Sequence, residues 1–548
     1  MKKLNKFMFG LGIAAMALGS FSGCVEETDP ANGTATEKQV GESSAATKAL
    51  VMAMPAYCHT RTWSDRHNNF GYGAMMHIRD LQTGDAVMEY CGSGYDVWFY
   101  NWTRNKYMGQ DYFYAQYQWI YHWRFMQAVN NVISAINPSN CTDEQKGWLG
   151  SAYAYRALLY LDLARMYEFL PNDKTTSVNE DGHDVAGLTV PIVKAGMSES
   201  EARNNPRVSH AEMMAFIEED LNLAEQYAPF LESTEGQILP DLSCVYGLKA
   251  RLYMWDGQYD KAKEYARKAI DAATVDPMTK DECLNTTTGF NTASAWMWAA
   301  QQTSTTSTVT SGIINWTSWV CNETDFGYAA PGGDCFFKID KNFYDRIGGS
   351  DFRKLMFKAP AGSPLESQVV FLTSSTHNYK DELPELASLK FRPGKGKDDS
   401  YIEGAATAYP LMRVEEMYFI EAEAAAHLNA AEGKTLVENF MTTYRDPNYT
   451  CDATGTDDVV EEIVFQKRVE LWGEGQSFFD IKRLNYSVTR GYIGTNVTDE
   501  LARLNTNGRP AWMNWVISLR EYESNEALVG MNNPDPSDKY TPWVAPAQ

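Results

Sequence analysis

The stretch SCVYGLKARLYMWDGQYDKAKEYARKAIDAATVDP, residues 243–277, holds two helical patterns on either side of Asp256-Gly257-Gln258. Small residues recur at helical spacing in both patterns, so two antiparallel helices can approach closely while larger apolar side chains fill the remaining space. Gly257 permits the tight turn between them, because glycine adopts backbone conformations that other residues avoid. The stretch therefore predicts a helical hairpin that ends at Pro277.

The order of small and aromatic residues in this hairpin is that of tetratricopeptide-type repeats. One repeat cannot bury its own apolar face, so the hairpin implies that further helix pairs stack beside it. We expect Thr142, together with Gln145, and Ser209 to cap two of these helices. Further helical patterns lie at residues 37–57, 111–136, 142–167, 209–228, 411–429, from 434 onward, and at 457–484.

Two long segments, about residues 58–110 and 278–410, interrupt the helical patterns. Both contain glycine-rich and aromatic-rich stretches, and residues 295–300 could form a short strand. Loops of this length in a compact protein usually carry function. The predicted fold is therefore mainly α: a tetratricopeptide-like helix-turn-helix scaffold with long irregular loop insertions and minor β structure, in one domain spanning residues 37–548.

The N-terminus predicts export from the cytoplasm. Residues 1–23 combine three lysines with an apolar run that is too short to span a bilayer, as in a signal peptide. Phe21-Ser22-Gly23 before Cys24 resembles a bacterial lipobox, which would make Cys24 the lipidated first residue of the mature protein. We expect residues 24–36 to form a flexible tether. Its acidic run at 25–29 resembles the surface-export signal of Bacteroidetes lipoproteins, or is a solvated linker.

The formal net charge of −23 predicts a surface that repels nucleic acid and anionic membranes, so we expect neither as a partner. The cysteines are scattered without a CxxC pair, which argues against a zinc or redox site. Cys321 and Cys335 could close a loop through a disulfide, or all the cysteines could stay as buried thiols. We expect no cofactor; a structural Ca²⁺ among loop Asp and Asn residues has no motif to support it.

The C-terminal third carries a pattern that resembles the SusD/RagB family. The pattern comprises RVEEMY at 413–418, IEAEA at 420–424, Ile463, Arg468, EL at 470–471, GEG at 473–475 and FDIKR at 479–483. Arg79-Asp80 and Gly84-Asp85 resemble the early loop of that family. With the lipobox and the repeat helices, the resemblance covers essentially the whole mature chain; Gln476 departs from it, since Arg or His is common there.

The resemblance implies a lipid-anchored, surface-exposed outer-membrane protein that captures oligo- or polysaccharide. Such a protein would deliver the glycan to a SusC-like, TonB-dependent transporter. Family members use four tetratricopeptide-type helix pairs as the scaffold and bind the ligand on loops of the opposite face. The alternative is a peptide-binding, RagB-like nutrient-uptake lipoprotein, because part of the family handles peptides.

Carbohydrate recognition requires exposed aromatic rings beside polar side chains, since the rings stack on apolar sugar faces while polar groups bond the hydroxyls. Each insertion offers one such stretch, where the family draws its ligand residues. The candidates are Tyr95, Trp98, Asn101 and Trp102 in the first, and Trp316, Trp319 and Tyr328 in the second. Trp296 and Asp85 are weaker candidates; Asp85 could instead hold its loop to Arg79. Each tryptophan could equally anchor its loop in the core.

The sequence does not favour an enzyme. A glycosidase needs two carboxylates that face each other across a cleft, whereas the candidates by count, Glu415, Glu421, Glu470 and Glu474, all lie on predicted scaffold helices. HExxH and GxSxG patterns are absent, and PGKGK at 393–397 lacks the Walker spacing. We expect Glu470 and Glu474 to form surface ion pairs with Arg468 and Arg483, each worth about 0–1 kcal/mol.

Overall fold

Helices are the main regular elements of the structure, a computed structural model that describes residues 43–62, 66–92, 94–287 and 289–546. The predicted signal peptide, the tether of residues 24–36 and the lipidation residue Cys24 lie outside these ranges. Every helix within the ranges is too short or too polar to cross a membrane.

The elements follow one another along the chain in three groups. The first group is α1 (Ser44–Tyr57), α2 (Tyr72–Leu81), β1 (Ala86–Met88), α3 (Tyr100–Thr103), α4 (Phe113–Ala135) and α5 (Asp143–Tyr167). The second group is α6 (Glu199–Ala202), α7 (His210–Tyr227), α8 (Leu242–Asp256), α9 (Tyr259–Ala272), α10 (Lys280–Cys283), β2 (Trp298–Gln301), α11 (Ser307–Thr310), α12 (Trp316–Val320), β3 (Phe337–Ile339) and α13 (Lys341–Arg346). The third group is α14 (Tyr379–Glu382), α15 (Tyr401–Gly404), β4 (Ala408–Met412), α16 (Val414–Leu428), α17 (Ala430–Tyr444), α18 (Thr456–Glu470), α19 (Ser477–Arg483), β5 (Leu504–Asn505), α20 (Leu519–Tyr522) and β6 (Thr541–Pro542).

Helices α8 and α9 form the predicted hairpin. Gly257 follows α8 in the left-handed conformation, with a φ of 74°, and its amide donates to the Tyr253 carbonyl. A Cβ at Gly247 would lie only 2.4 Å from Sδ of Met412, so the side chain of this β4 residue lies directly against the glycine. Ala266 is fully buried in α9. The predicted hairpin is therefore confirmed, with its two helices packed against each other on either side of Gly257.

The hairpin is one unit of a longer helical stack. Helix α5 packs on α4 and α7, α7 packs on α8, and α9 packs on both α8 and α16. Helix α16 then packs on α17 and α18. The predicted caps are present: Thr142 and Gln145 form a reciprocal capping box at α5, and Ser209 caps α7. The predicted fold class, a tetratricopeptide-like helical scaffold with minor β structure, is confirmed.

The two insertions are more ordered than the sequence indicates. Helix α2 lies in the first insertion with every residue buried, so the prediction of an irregular segment is wrong there. Strand β1 pairs antiparallel with β3 of the second insertion, with Ala86 opposite Ile339 and Met88 opposite Phe337. Strand β2, close to the predicted strand, pairs with β4. The pairing of β1 with β3 joins the two insertions to each other.

The prediction of one continuous helix at residues 457–484 is wrong. Helix α18 ends at Glu470 and α19 begins at Ser477, and between them Gly473 and Gly475 adopt φ values of 76° and 69°. A Cβ at Gly475 would lie 2.7 Å from the Met76 backbone, so this turn can approach α2 closely only because it carries glycine.

A network of buried ions surrounds this turn and centres on Glu470. Its carboxylate lies 3.1 Å from a guanidinium nitrogen of Arg413, 2.7 Å from Arg445 and 3.3 Å from Arg353. All four side chains are at most 3% exposed. Arg353 belongs to the second insertion, whereas the other three belong to the C-terminal helices and their flanks. The network therefore ties the insertion to the scaffold.

Glu474 extends the network. It lies 3.0 Å from Arg413 and 2.6 Å from the Lys390 ammonium, and it too is buried. The expectation of weak surface pairs that involve Arg468 and Arg483 is therefore wrong. Buried carboxylates with guanidinium partners are far more sensitive to loss of one partner than surface pairs are.

The ionisation of Glu470 follows from its neighbours. Burial alone would raise the pKa of its carboxyl group, but the guanidinium groups of Arg445 and Arg413 outweigh burial and hold the pKa well below its ordinary value. Because the pKa is depressed in the folded state, the resulting stability is present above the ordinary pKa and is lost as the pH falls through the folded-state value.

Replacing this carboxylate tests the network. We expect Glu470→Gln to lower the free energy of unfolding by about 3–5 kcal/mol at pH 7, because three buried guanidinium groups lose part of their compensating charge. Urea unfolding measures the loss. The difference from the wild type should shrink below about pH 4.5, where the unfolded chain binds a proton at Glu470.

The matched control is Glu264→Gln, which removes the carboxylate of an exposed pair with Lys268 on α9. It should change the free energy of unfolding little. Equal effects of the two substitutions would contradict a special role for the buried network.

Candidate functional site

Five rings from the two insertions form a continuous series of ring contacts that runs from the core to the surface, which we call the aromatic ladder. Its members are His67, Tyr95, Trp98, Trp319 and Tyr328. Four of them are residues that the sequence marks as ligand candidates. The ladder is therefore where the predicted stretches of the two insertions meet.

Local backbone geometry places these rings. Tyr95 and Trp98 are the first and last residues of one short 3₁₀ turn, so both extend from the same small segment. Tyr328 follows Gly327, which has a φ of 104°. A Cβ at Gly327 would lie 2.7 Å from Ser318 in α12, so glycine allows the loop to fold back over that helix.

The rings become more exposed from the core outward. Trp319 and Tyr328 stack at a centroid distance of 4.2 Å, and both are buried. Tyr95 meets the Tyr328 ring edge-on at 5.2 Å and remains 45% exposed. His67 stacks on Trp98 at 4.7 Å, and both of these rings are half-buried. The open faces are thus supported from below by rings of the core.

Hydrogen bonds hold the ladder in position. The Trp319 indole donates to the His67 carbonyl at 3.0 Å, and the Asn68 amide donates to the Trp98 carbonyl at 2.9 Å. The Tyr328 hydroxyl contacts Nδ1 of His67. Burial raises the pKa of Tyr328 to about 12, so its hydroxyl is protonated and neutral at physiological pH. These bonds therefore hold the rings in fixed positions, and the Tyr328 hydroxyl among them is uncharged.

Five aromatic residues predicted to bind a ligand are buried: Trp319 and Tyr328, which belong to the aromatic ladder, and Trp102, Trp296 and Trp316, which do not. Trp102, Trp296 and Trp316 are each at most 1% exposed. The Trp316 ring packs against Phe391 and Tyr409 at 4.7 and 5.5 Å. These three tryptophans anchor their insertions in the core. The structure therefore contradicts the expectation that they face a ligand.

Two polar candidates are also turned inward. Asn101 is 4% exposed, and its amide donates to the Tyr114 hydroxyl. Asp85 is 3% exposed and accepts from Nε of Arg468 at 2.9 Å. The expected partner of Asp85, Arg79, instead lies beside Asp162. Asp85 therefore joins the first insertion to α18, and neither residue faces a ligand.

His67 is the member of the ladder that the sequence does not indicate. It lies more than 25 residues before Tyr95, outside the two stretches that the sequence marks for ligand binding. Only the packing of the two insertions brings its ring onto Trp98, so a pattern based on neighbouring residues could not have found it.

The carboxylates that a glycosidase would need are engaged in ion pairs. Glu415 lies 2.8 Å from Arg413, and Glu421 lies 2.9 Å from the guanidinium of Arg267. A separate cavity of about 220 Å³ beside α5 and α19 is lined by charged side chains, but Lys467 and Asp480 there pair with each other at 3.0 Å. Over the described ranges, no three His, Cys, Asp or Glu side chains are placed to hold a metal ion.

Comparisons with known proteins point to one family. A model described as "SusD family" matches residues 386–532, and a model described as "Starch-binding associating with outer membrane" matches residues 72–254. No curated protein sequence matches the chain. The second of these models covers most of the first insertion and the helices up to α8, and the first covers the end of the second insertion and the C-terminal helices.

Solved structures share the fold. A SusD-like carbohydrate-binding protein from Bacteroides vulgatus is 22% identical, with 88% of this chain and 96% of that chain covered and a TM-score of 0.69. A SusD superfamily protein from Bacteroides thetaiotaomicron is 17% identical over 88% and 98% of the chains, with a TM-score of 0.63. A SusD-like carbohydrate-binding protein from Bacteroides fragilis is 14% identical over 89% and 99%, with a TM-score of 0.62. At these identities the likeness establishes the fold.

Substitution of two tryptophans tests which one anchors its insertion in the core and which one lies at the surface. We expect Trp316→Ala to lower the free energy of unfolding by about 3–5 kcal/mol, because it leaves a cavity among packed rings. Trp98→Ala should lower the free energy of unfolding clearly less, since the Trp98 ring is half-exposed and its loss creates no enclosed cavity. Urea unfolding of both variants measures the contrast; equal losses would contradict the assigned positions.

Proposed function

The chain belongs to the SusD family, and from this premise we propose that it is a non-catalytic, carbohydrate-binding lipoprotein of the outer membrane. The observation that carries the proposal is the aromatic ladder, which presents Tyr95 and Trp98 at the surface over a floor of buried rings. Sugars bind such surfaces because their axial C–H groups form apolar faces that lie against aromatic rings.

The chemistry of the ladder favours a neutral glycan. The Tyr328 hydroxyl beneath the exposed rings is uncharged at physiological pH, and so are the indole groups. The formal net charge of −23 would repel sulfated or sialylated chains. The open surface is smaller than the sequence indicates, because Trp102 and Trp316 are buried. We therefore propose that a short segment of the polysaccharide contacts the ladder.

The remaining parts of the proposal rest on the resemblance in the sequence. Cys24 would carry the lipid that anchors the mature chain in the outer membrane. A SusC-like, TonB-dependent transporter would receive the carbohydrate that the ladder captures. The description of one matching family model, which names association with the outer membrane, supports this location.

Binding to the ladder is tested by removing its exposed rings. We expect Trp98→Ala and Tyr95→Ala each to weaken binding of a recognised neutral glycan at least about tenfold, equivalent to about 1.4 kcal/mol. A glycan array identifies the ligand, and isothermal titration calorimetry measures the affinities.

The matched control is Trp123→Ala, which removes another half-buried indole that packs on Trp119 and Tyr160 of the helical scaffold. It should leave the affinity unchanged. Unchanged affinity in both ladder variants would remove this site. Binding of peptides but of no glycan, in the same calorimeter, would favour the RagB-like alternative.

A second test addresses catalysis. We expect a glycan incubated with the purified protein to keep its chain length, because Glu415 and Glu470 are buried in ion pairs and the pKa of Glu470 is held low. A general acid would need a raised pKa. Reducing-end assays and chromatography check this; new reducing ends that scale with protein concentration would overturn the binding-only role.

A further inference from the structure

Two cysteines meet where the two insertions join. Sγ of Cys91, in the first insertion, lies 3.2 Å from Sγ of Cys335, in the second. The residues are 244 positions apart in the chain, so only the fold brings them together. Cys335 is fully buried and Cys91 is half-buried, which leaves one of the two sulfur atoms within reach of a redox partner.

The β1–β3 pair delivers these side chains to each other. The strand pairing that places Met88 opposite Phe337 continues one residue beyond the strands, since the Glu89 amide donates to the Phe336 carbonyl at 2.8 Å. The two cysteines follow at the end of this pairing, where the strands have already fixed their spacing. A bond of about 2.05 Å needs only a small approach of the sulfur atoms from this arrangement.

We propose that Cys91 and Cys335 form a disulfide that covalently joins the two insertions beneath the aromatic ladder. Cys91 lies four residues before Tyr95, and Cys335 lies seven residues after Tyr328. The cross-link would thus limit relative movement of the two loops that carry the exposed and supporting rings. The sequence alone leaves two alternatives, a loop closed between Cys321 and Cys335 or free thiols throughout.

The bond forms by thiol–disulfide exchange with an oxidised dithiol protein or with a small-molecule disulfide. The Cys91 thiolate attacks the oxidant and releases one of its sulfur atoms as a thiol, giving a mixed disulfide. The Cys335 thiolate then attacks the Cys91 sulfur and releases the second thiol. The two cysteines lose two protons and two electrons in total, and the oxidant gains both. An exported protein encounters such oxidants outside the cytoplasm.

Peptide mapping tests the bond directly. Cleavage before aspartate places Cys91 in residues 85–95 and Cys335 in residues 334–339, each without another cysteine. The full chain is exported by a host with an oxidising periplasm, incubated with oxidised glutathione, alkylated without reduction and digested. We expect mass spectrometry to find these two peptides joined, and to find them separate after reduction.

Two results would overturn the bond. One is alkylation of both Cys91 and Cys335 after the glutathione treatment; the other is a link between Cys335 and Cys321. Neither readout involves a carbohydrate, so failure of the cross-link and failure of the proposed function are distinguished.

Hydrogen exchange tests the mechanical consequence. We expect Cys91→Ser to increase the rate of amide exchange at least about tenfold in both loops, near residues 90–98 and 326–335, because the chain loses its covalent constraint there. Cys141→Ser, which replaces another half-buried cysteine on the scaffold, should leave these rates unchanged. Unchanged exchange in Cys91→Ser would show that the bond does not hold the loops together.

Discussion

The fold depends on a carboxylate that is surrounded by guanidinium groups in the interior. Glu470 contacts Arg413, Arg445 and Arg353, and these residues come from parts of the chain that are far apart in sequence. A buried charge is tolerated only when its partners are correctly placed, because each unpaired ion would cost several kcal/mol. The network therefore favours one arrangement of the second insertion against the C-terminal helices over others that would bury a similar apolar area.

The aromatic ladder depends on that arrangement. Arg353 and Lys390 join the second insertion to the network, while β1 and β3 join the two insertions to each other. Asp85, next to β1, reaches back to Arg468 of α18. The loops that hold the rings are consequently fastened at several points to the helical scaffold, although they contain little regular secondary structure of their own.

Helices with repeated local patterns could be predicted from the sequence, whereas features made by distant contacts could not. The hairpin around Gly257 and the cap at Thr142 follow from residues within a few positions of one another. The break between α18 and α19 depends on the approach of Gly475 to Met76, which no local pattern reveals.

Only part of the candidate site could be predicted, because its members are also fixed by contacts between distant residues. Aromatic residues in a long insertion indicate a surface for a ligand, and Tyr95 and Trp98 are indeed open. Composition alone does not say which ring faces inward, so Trp102 and Trp316 were indistinguishable from their exposed neighbours. His67 enters the ladder only through tertiary packing. The sequence pattern thus located the region, and the contacts decided its members.

The stacking of exposed rings on core rings has a consequence for the thermal behaviour of the surface. Trp319 lies in the main hydrophobic core and also supports Tyr328, so the outer rings rest on side chains that remain packed as long as the core does. The aromatic ladder should keep its shape on warming until the whole molecule unfolds, without an earlier loosening of its own. A ligand would then meet a rigid platform and lose little free energy in ordering it.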